Sequence, residues 1–142
     1  MTLVDRLVAD PLRGVVAVIS AATALSGLVQ LVMPGTVLDL LGAESTPTTR
    51  QLFAIVGMFM AVVGGVTLQA LLAADPPSYV VLWCAVQKAG AVVAVTVGVA
   101  RDLFAGLALL VAGFDLLSAL LAGLLWHRMQ ARAGVARERV PA

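Results

Sequence analysis

Two ionisable side chains lie where the sequence is otherwise apolar. Asp115 interrupts the run Leu103–Trp126, and Lys88 interrupts the run Ser78–Ala100. A charged side chain at the centre of a bilayer costs about 2.5–3.5 kcal/mol on insertion scales, so a chain that keeps an acid there is expected to supply a partner. If the two runs are antiparallel helices joined by a tight turn at Arg101-Asp102, Lys88 and Asp115 lie equally far from that turn. The sequence therefore predicts a pair of opposite charges at mid-membrane.

Such a pair is compatible with three kinds of role. A protonated Asp115 can act as a general acid toward a hydrophobic substrate, and a neutral Lys88 as a base. An intact ion pair can instead hold the polar head of a lipophilic ligand, or it can fix the register of two helices and do nothing more. The candidate ligand-binding residues are Gln87, Lys88, Asp115 and Ser118, with Ser20 as a further neighbour. The residues alone leave these roles open.

The rest of the sequence offers little other chemistry. The single cysteine, Cys84, excludes an internal disulfide and a CxxC redox centre. His127 stands beside Arg128 without a second histidine, so we expect no metal site, and no motif calls for a cofactor. The polar residues on the side of the predicted membrane opposite to the termini are interpreted mostly as a solvated rim: Asp39, Glu44, Arg50, Gln51, Arg101 and Asp102.

Composition places these residues in a membrane. Hydrophobic residues make up 61% of the chain and charged residues 12%, and the mean hydropathy is +1.05. Soluble domains contain about twice that share of charge. We therefore predict an integral membrane protein of one domain, residues 1–142, and the net charge of +1 gives no reason to expect a nucleic-acid partner.

The hydrophobic pattern predicts an all-α, up-down four-helix bundle. Each apolar run is long enough to cross a bilayer, which takes about 20 helical residues. The first run is longer than the core of a signal peptide and is interpreted as a true span. A short interfacial helix is expected within 36–43, between spans one and two. The predicted spans are 14–33, 50–72, 78–100 and 103–126, followed by a polar tail, 127–142.

Small residues predict how these spans pack, because they allow helix backbones to approach closely in lipid. In the second span Gly57, Ala61 and Gly65 recur every four residues and are expected to form its packing face. In the third span Gln87 shares a face with small residues and is expected to point into a helix contact. In the fourth span small residues surround Asp115, which should therefore face the bundle interior. The last two groups are Gly90, Ala94 and Gly98, and Ala108, Ala112, Ser118, Ala119 and Ala122.

The distribution of arginine predicts the orientation. Two arginines, Arg50 and Arg101, lie on one side of the predicted membrane. The other side, with both termini, carries six: Arg6, Arg13, Arg128, Arg132, Arg137 and Arg139. Because basic residues favour the cytoplasmic side, both termini are expected in the cytoplasm.

Several features resemble one family. Pro34-Gly35, the following VLDLLG segment, Arg50 and the span with Gly57 and Gly65 are similar to those of DoxX-like small four-helix membrane proteins of bacteria. The resemblance implies a four-helix bundle in the bacterial cytoplasmic (inner) membrane. It carries no catalytic residue that can be transferred to this chain.

Two functions follow as hypotheses. The first is a small membrane protein that binds a lipophilic small molecule or serves as an accessory subunit of a membrane complex. Its expected partners are the bilayer, that molecule, and another membrane protein or further copies of the chain. The alternative is a membrane-embedded isomerase or cyclase in which Asp115 and Lys88 are the catalytic acid–base pair. A proton-coupled transporter is disfavoured, because the only central acid already has a lysine partner.

Overall fold

A computed structural model describes residues 9–138 of the chain, and their side chains as far as 134. Within this range the chain is helical and contains no strand, so the predicted all-α class is confirmed. The helices are α1 (Pro11–Val32), α2 (Pro34–Leu40), α3 (Pro47–Leu72), α4 (Ser78–Ala100) and α5 (Ala108–Glu138). Helices α1, α3, α4 and the part of α5 up to Gly134 are long and apolar enough to cross a membrane.

Proline and hydroxyl residues set where the helices begin. Pro11, Pro34 and Pro47 occupy first-turn positions, where proline's missing N–H costs no hydrogen bond. Thr46 caps α3 by accepting from the N–H of Thr49, whose own hydroxyl accepts from the N–H of Thr46. Helix α3 therefore begins three residues before the predicted span, and the short helix predicted between the first two spans is present as α2.

The connection from α4 to α5 is longer than the predicted two-residue turn. Asp102 adopts a left-handed conformation with φ 56°, and the N–H of Leu103 donates to the carbonyl of Gly98 at 2.9 Å. This pattern is a Schellman motif, which ends α4 and turns the chain away from its axis. Phe104 then folds back against Gly98. The fourth long helix consequently begins at Ala108 rather than Leu103.

At its other end α5 extends beyond the predicted span. It continues through the first residues of the expected polar tail to Glu138. An arginine of this extension, Arg132, bonds to Asp10 at the start of α1, with 3.1 Å between Nη1 and Oδ2. Helix-forming residues such as Met129, Gln130 and Ala131 favour this continuation outside the apolar run.

The long helices pack as two close pairs. Helix α1 contacts α3 along much of its length, and α4 contacts α5 in the same way, whereas contacts between the pairs are fewer. We call the boundary between the α1/α3 pair and the α4/α5 pair the seam. At one end of the seam a single apolar cluster contains a buried residue from each of the four helices: Val16, Leu71, Val81 and Ala122.

Glycines bring α1 and α3 together, but not in the predicted row. A Cβ on Gly57 would lie 2.7 Å from the carbonyl oxygen of Gly27, and one on Gly64 would lie 2.6 Å from the backbone nitrogen of Ala24. Gly65 has nothing within 4 Å of that position, so its place in the packing face was predicted wrongly. Contacts between nearly parallel helices recur every seven residues, whereas a row spaced by four winds away from the contact.

Arg13 connects the start of α1 to the end of α3 by hydrogen bonds. Its guanidinium donates from Nε to the carbonyl of Leu71 at 2.8 Å and from Nη2 to the carbonyls of Leu71 and Ala73. Leu71 lies in the last turn of α3, whose carbonyls have no partner within the helix, and Ala73 directly follows the helix. From the sequence, Arg13 was predicted only to indicate orientation, and its role at the end of α3 was not predicted.

Candidate functional site

The predicted partner of Asp115 is confirmed. Lys88 Nζ lies 2.6 Å from Asp115 Oδ1, and the side chains are 3% and 8% exposed. Asp115 is on the face of α5 that carries its buried small residues, Ala108, Ala112, Ser118 and Ala122. Lys88 shares the buried face of α4 with Val81 and Cys84. The ion pair therefore joins the inner faces of α4 and α5 and is enclosed by protein.

An aromatic ring completes the surroundings of the ammonium group. Lys88 Nζ lies over the ring of Phe114 at 5.3 Å from its centroid, a distance typical of a cation–π contact. The ring is half-exposed on the outer surface of α5. Phe114 thus covers the ammonium from the outside, while Asp115 faces it from within. Phe114 was not predicted as part of the site, although it directly precedes Asp115 in the sequence.

The pair keeps unused hydrogen-bonding capacity. A lysine ammonium has three N–H donors and an ionised carboxylate accepts at two oxygens. Within residues 9–134, Lys88 Nζ makes one hydrogen bond, to Asp115 Oδ1, and Asp115 Oδ2 makes none. Two donors and one carboxylate oxygen therefore remain for a further polar partner.

The inner faces of all four long helices follow a seven-residue repeat. In α1 the buried residues include Val16, Thr23 and Gln30, and in α5 they include Ala108, Asp115 and Ala122. The repeat orders inward-facing residues into layers along the seam. One such layer is the apolar layer of Val16, Leu71, Val81 and Ala122. Seven residues away on each helix, or two helical turns, the corresponding layer contains Thr23, Gly64, Lys88 and Asp115.

Between these two layers lies a small polar layer, which consists of Ser20, Thr67, Cys84 and Ser118, one from each long helix. All four residues are at most 4% exposed, and the thiol of Cys84 neighbours both Thr67 and Lys88. Ser20 Oγ donates to the carbonyl of Val16 at 2.8 Å, and Ser118 Oγ donates to that of Phe114 at 2.7 Å. Both serine hydroxyls therefore donate within their own helices, and their oxygen lone pairs remain free to accept.

The other predicted ligand-binding residues lie at different positions relative to the ion pair. Ser118 and Ser20 are buried one helical turn from the pair, and their hydroxyls bond within their own helices rather than to Lys88 or Asp115. Gln87 is only partly buried, and no protein atom lies within 4 Å of where Gly90, on the same face, would carry a Cβ. The predicted helix contact at Gln87 is therefore wrong within this chain, because the inward residue is Lys88. Gln87 Oε1 is nevertheless buried and has no hydrogen-bond partner among the described residues.

Two pockets lie at opposite ends of the helices, and neither is lined by the ion pair. One, of about 630 Å³, lies beside the first turn of α1 and includes Arg13 and Arg132. The other, of about 500 Å³, surrounds Pro34 and includes Asp39 and Arg50. Neither pocket therefore gives a ligand access to Lys88 and Asp115, whose side chains are almost fully enclosed. The described residues contain no group of three or more His, Cys, Asp or Glu side chains that could hold a metal.

Among the described residues, the polar side chains of the predicted rim form no ion pair. Asp39, Glu44, Arg101 and Asp102 are exposed. Arg50 Nε donates to Ser45 Oγ at 2.8 Å, and its guanidinium packs against Gly35. This agrees with their interpretation as a solvated rim.

Comparison of the chain with protein-family models, curated proteins and solved structures finds no match.

Proposed function

We propose that the chain is a multi-pass protein of the bacterial cytoplasmic membrane, with its four long helices forming an up-down bundle and both termini in the cytoplasm. Large apolar side chains cover the outside of the helices, as a lipid environment favours. Arg13, Arg128 and Arg132 lie at one end, and Arg50 and Arg101 at the other. Arg6 and Arg139 lie outside the described residues, as does the side chain of Arg137. The DoxX-like resemblance is part of this proposal.

Within this bundle we propose that Lys88 and Asp115 bind the polar head of a lipophilic small molecule. The observation that carries the proposal is their unused hydrogen-bonding capacity at enclosed positions on the inner faces of α4 and α5. A polar atom of the ligand would accept from Nζ or donate to Oδ2, and its apolar part would lie on the exposed surface of α5 beside Phe114. Asp115 and Lys88 are then ligand-binding residues, with Ser118 one turn away.

The energetics of buried ion pairs also favour a functional role for the pair over a purely stabilising one. A buried ion pair contributes little net stability, because desolvation cancels most of the attraction between the charges. Replacing such a pair with apolar residues of similar size often stabilises a protein by about 1–4 kcal/mol. A bundle that needed stability alone would be served by apolar residues at both positions.

Access to the pair would come from the lipid side. Phe114 covers the ammonium from the exposed surface of α5, and the end pockets do not reach it. Movement of one aromatic ring requires no change in the backbone, and rotamer changes at exposed side chains take picoseconds to nanoseconds. We therefore propose Phe114 as the entry point for a ligand that is already dissolved in the bilayer.

The test is purification in mild detergent, followed by mass spectrometry of bound lipophiles. The wild type is compared with Lys88→Met, Asp115→Asn and the double variant, and Arg101→Met with Asp102→Asn is the matched control at exposed positions. We expect the wild type and the control to retain a discrete lipophile that the folded double variant loses. An identical lipophile profile in all folded variants would reject the ligand-binding role. The Lys88–Asp115 pair would then have only a structural role.

A second candidate function, an accessory subunit, has its own supporting observation. Gln87 Oε1 lacks a partner on a face where Trp83, Gly90 and Ala94 are exposed. A helix of another membrane protein, or of a second copy, could approach closely at the small residues and contact the partly buried Gln87 side chain. Gln87→Leu would then weaken co-purification of that partner, while Gln69→Leu, at an exposed position of α3, would leave it unchanged. Equal recovery of the partner with both variants would reject this face.

The enzyme alternative uses the same pair with Asp115 as acid and Lys88 as base. It also needs a substrate atom beside both groups, whereas in this structure the two groups bond to each other. If the wild type converts the retained lipophile and folded Asp115→Asn holds it unchanged, the site is catalytic.

A further inference from the structure

The pocket beside Arg13 is separate from the ion pair and has its own chemistry. It occupies about 630 Å³ where α1 begins, α3 ends and α4 begins, and the extension of α5 forms another wall. Its apolar floor is formed by Leu71, Leu125 and Met129. The polar part of its lining includes Arg13, Arg132, Ser78 and Tyr79.

Arg13 is a partly buried cation that forms no ion pair within residues 9–134. Within residues 9–134 the two ion pairs are Lys88–Asp115 and Arg132–Asp10. The hydrogen bonds of Arg13 go to the carbonyls of Leu71 and Ala73, which satisfy donors but carry only partial charge. These bonds use Nε and Nη2, so both N–H groups of Nη1 remain for another acceptor.

The other donors around the pocket complement this group. Arg132 uses Nη1 for Asp10, and its side chain is 70% exposed, so its other guanidinium donors are accessible. Helix α4 begins after Pro77 without a side-chain cap, which leaves its first N–H groups to other acceptors. Asp75 is the other acid in the lining, whereas Asp10 already accepts from Arg132 and from the N–H of Arg13.

We propose that this pocket binds a phosphate group, held between Arg13 and Arg132. A phosphate offers several acceptor oxygens, and guanidinium groups bind phosphates through paired, charge-assisted hydrogen bonds. Its negative charge would balance Arg13, which the protein's own described carboxylates do not. The group could be carried by a phospholipid of the surrounding leaflet or by a soluble phosphate, and the chemistry of recognition is the same.

The experiment measures binding by native mass spectrometry and by the thermal unfolding midpoint of the full chain in a phosphate-free detergent. The probes are dioleoylphosphatidylglycerol, dioleoylglycerol, which has the same tails without phosphate, and inorganic phosphate. The variants are Arg132→Gln and Arg13→Gln, in which the new amide can still donate to Leu71. Arg101→Gln, at the opposite end of the helices, is the matched control.

We expect the phospholipid to bind and dioleoylglycerol not to bind. Loss of one charge-assisted contact should weaken binding about tenfold in Arg132→Gln and at least as much in Arg13→Gln, with no change in Arg101→Gln. A rise in the unfolding midpoint with inorganic phosphate alone, lost in the same variants, would assign a soluble phosphate as the source.

Because Arg13→Gln also removes part of a helix cap, Arg132→Gln decides the question if the first variant does not fold. Unchanged binding in folded Arg132→Gln would overturn the proposal. So would equal binding of dioleoylglycerol, or no response to any phosphate probe.

Discussion

Breaking the ion pair from one side should cost far more than removing it altogether. In Lys88→Met the carboxylate of Asp115 is left buried with no cation, and in Asp115→Asn the ammonium of Lys88 is left with a neutral partner and the ring of Phe114. Each group is almost fully enclosed, at 8% and 3% side-chain exposure, so water can do little to replace the lost partner. Removing one member of a buried pair typically costs about 3–5 kcal/mol.

The double variant should recover most of this loss. With both charges gone, neither charge is left buried without a partner, and a neutral amide at position 115 costs much less to bury than a charge. If each single variant loses about 4 kcal/mol and the double variant loses about 1 kcal/mol, the coupling energy is about 7 kcal/mol. Residues without contact would instead show losses that add within about 0.5 kcal/mol.

The assay is reversible unfolding in mixed micelles, with the helical circular dichroism signal followed as denaturing detergent is increased. Arg101→Met and Asp102→Asn, alone and together, provide the control cycle, because both side chains are exposed at the end of α4. Additive losses in the Lys88/Asp115 cycle, or single losses no larger than those of the control, would refute the conclusion that the two charges stabilise each other.

Three further predictions concern the framework, each measured by the same unfolding assay. Gly64→Ala should lose about 1–3 kcal/mol, because its Cβ would lie 2.6 Å from the backbone nitrogen of Ala24. Gly65→Ala has open space and should be neutral or slightly stabilising, so equal losses at the two positions would contradict the packing described. Arg13→Leu should lose about 1–3 kcal/mol by leaving the carbonyls of Leu71 and Ala73 without donors, whereas exposed Arg128→Leu should change stability little. Asp102→Gly should gain about 0.5–1 kcal/mol, because glycine adopts φ 56° without strain; a loss would show that the aspartate side chain stabilises the turn.

The ion pair and the inner face of α5 could be predicted from the sequence because the apolar runs contain almost no other charged residue that could form a pair. Lys88 is the only basic residue inside an apolar run, and Asp115 is the only acid in one. Lys88 and Asp115 are the same number of residues from the connection between the two runs, so they were predicted at the same depth in the membrane. The connection itself is longer than expected, yet the charges still meet, since the cost of leaving either one alone in an apolar interior selects the register.

The packing faces of α3 and α4 were harder to predict because small residues occur on more than one side of each helix. Gly64 and Gly65 are adjacent in sequence, yet only Gly64 meets α1. The seven-residue repeat of Gly57, Gly64 and Leu71 was the available signal that separates them. Gln87 and Lys88 pose the same choice in α4, and the partner charge on α5 decides it in favour of Lys88. The covering position of Phe114 depends on a rotamer, which the pattern of residues does not specify.

Photo-crosslinking at the proposed entry point tests most directly whether the pair binds a lipophile. A photoreactive phenylalanine is placed at Phe114, which covers the ammonium, or at Leu110, which is one turn away and 71% exposed. After illumination in intact membranes, the protein is purified and the adducts are weighed by mass spectrometry. We predict a discrete adduct at position 114 that is absent at position 110 and disappears when Lys88→Met and Asp115→Asn are added. The same bulk-lipid adducts at both positions, unchanged in that double variant, would contradict it.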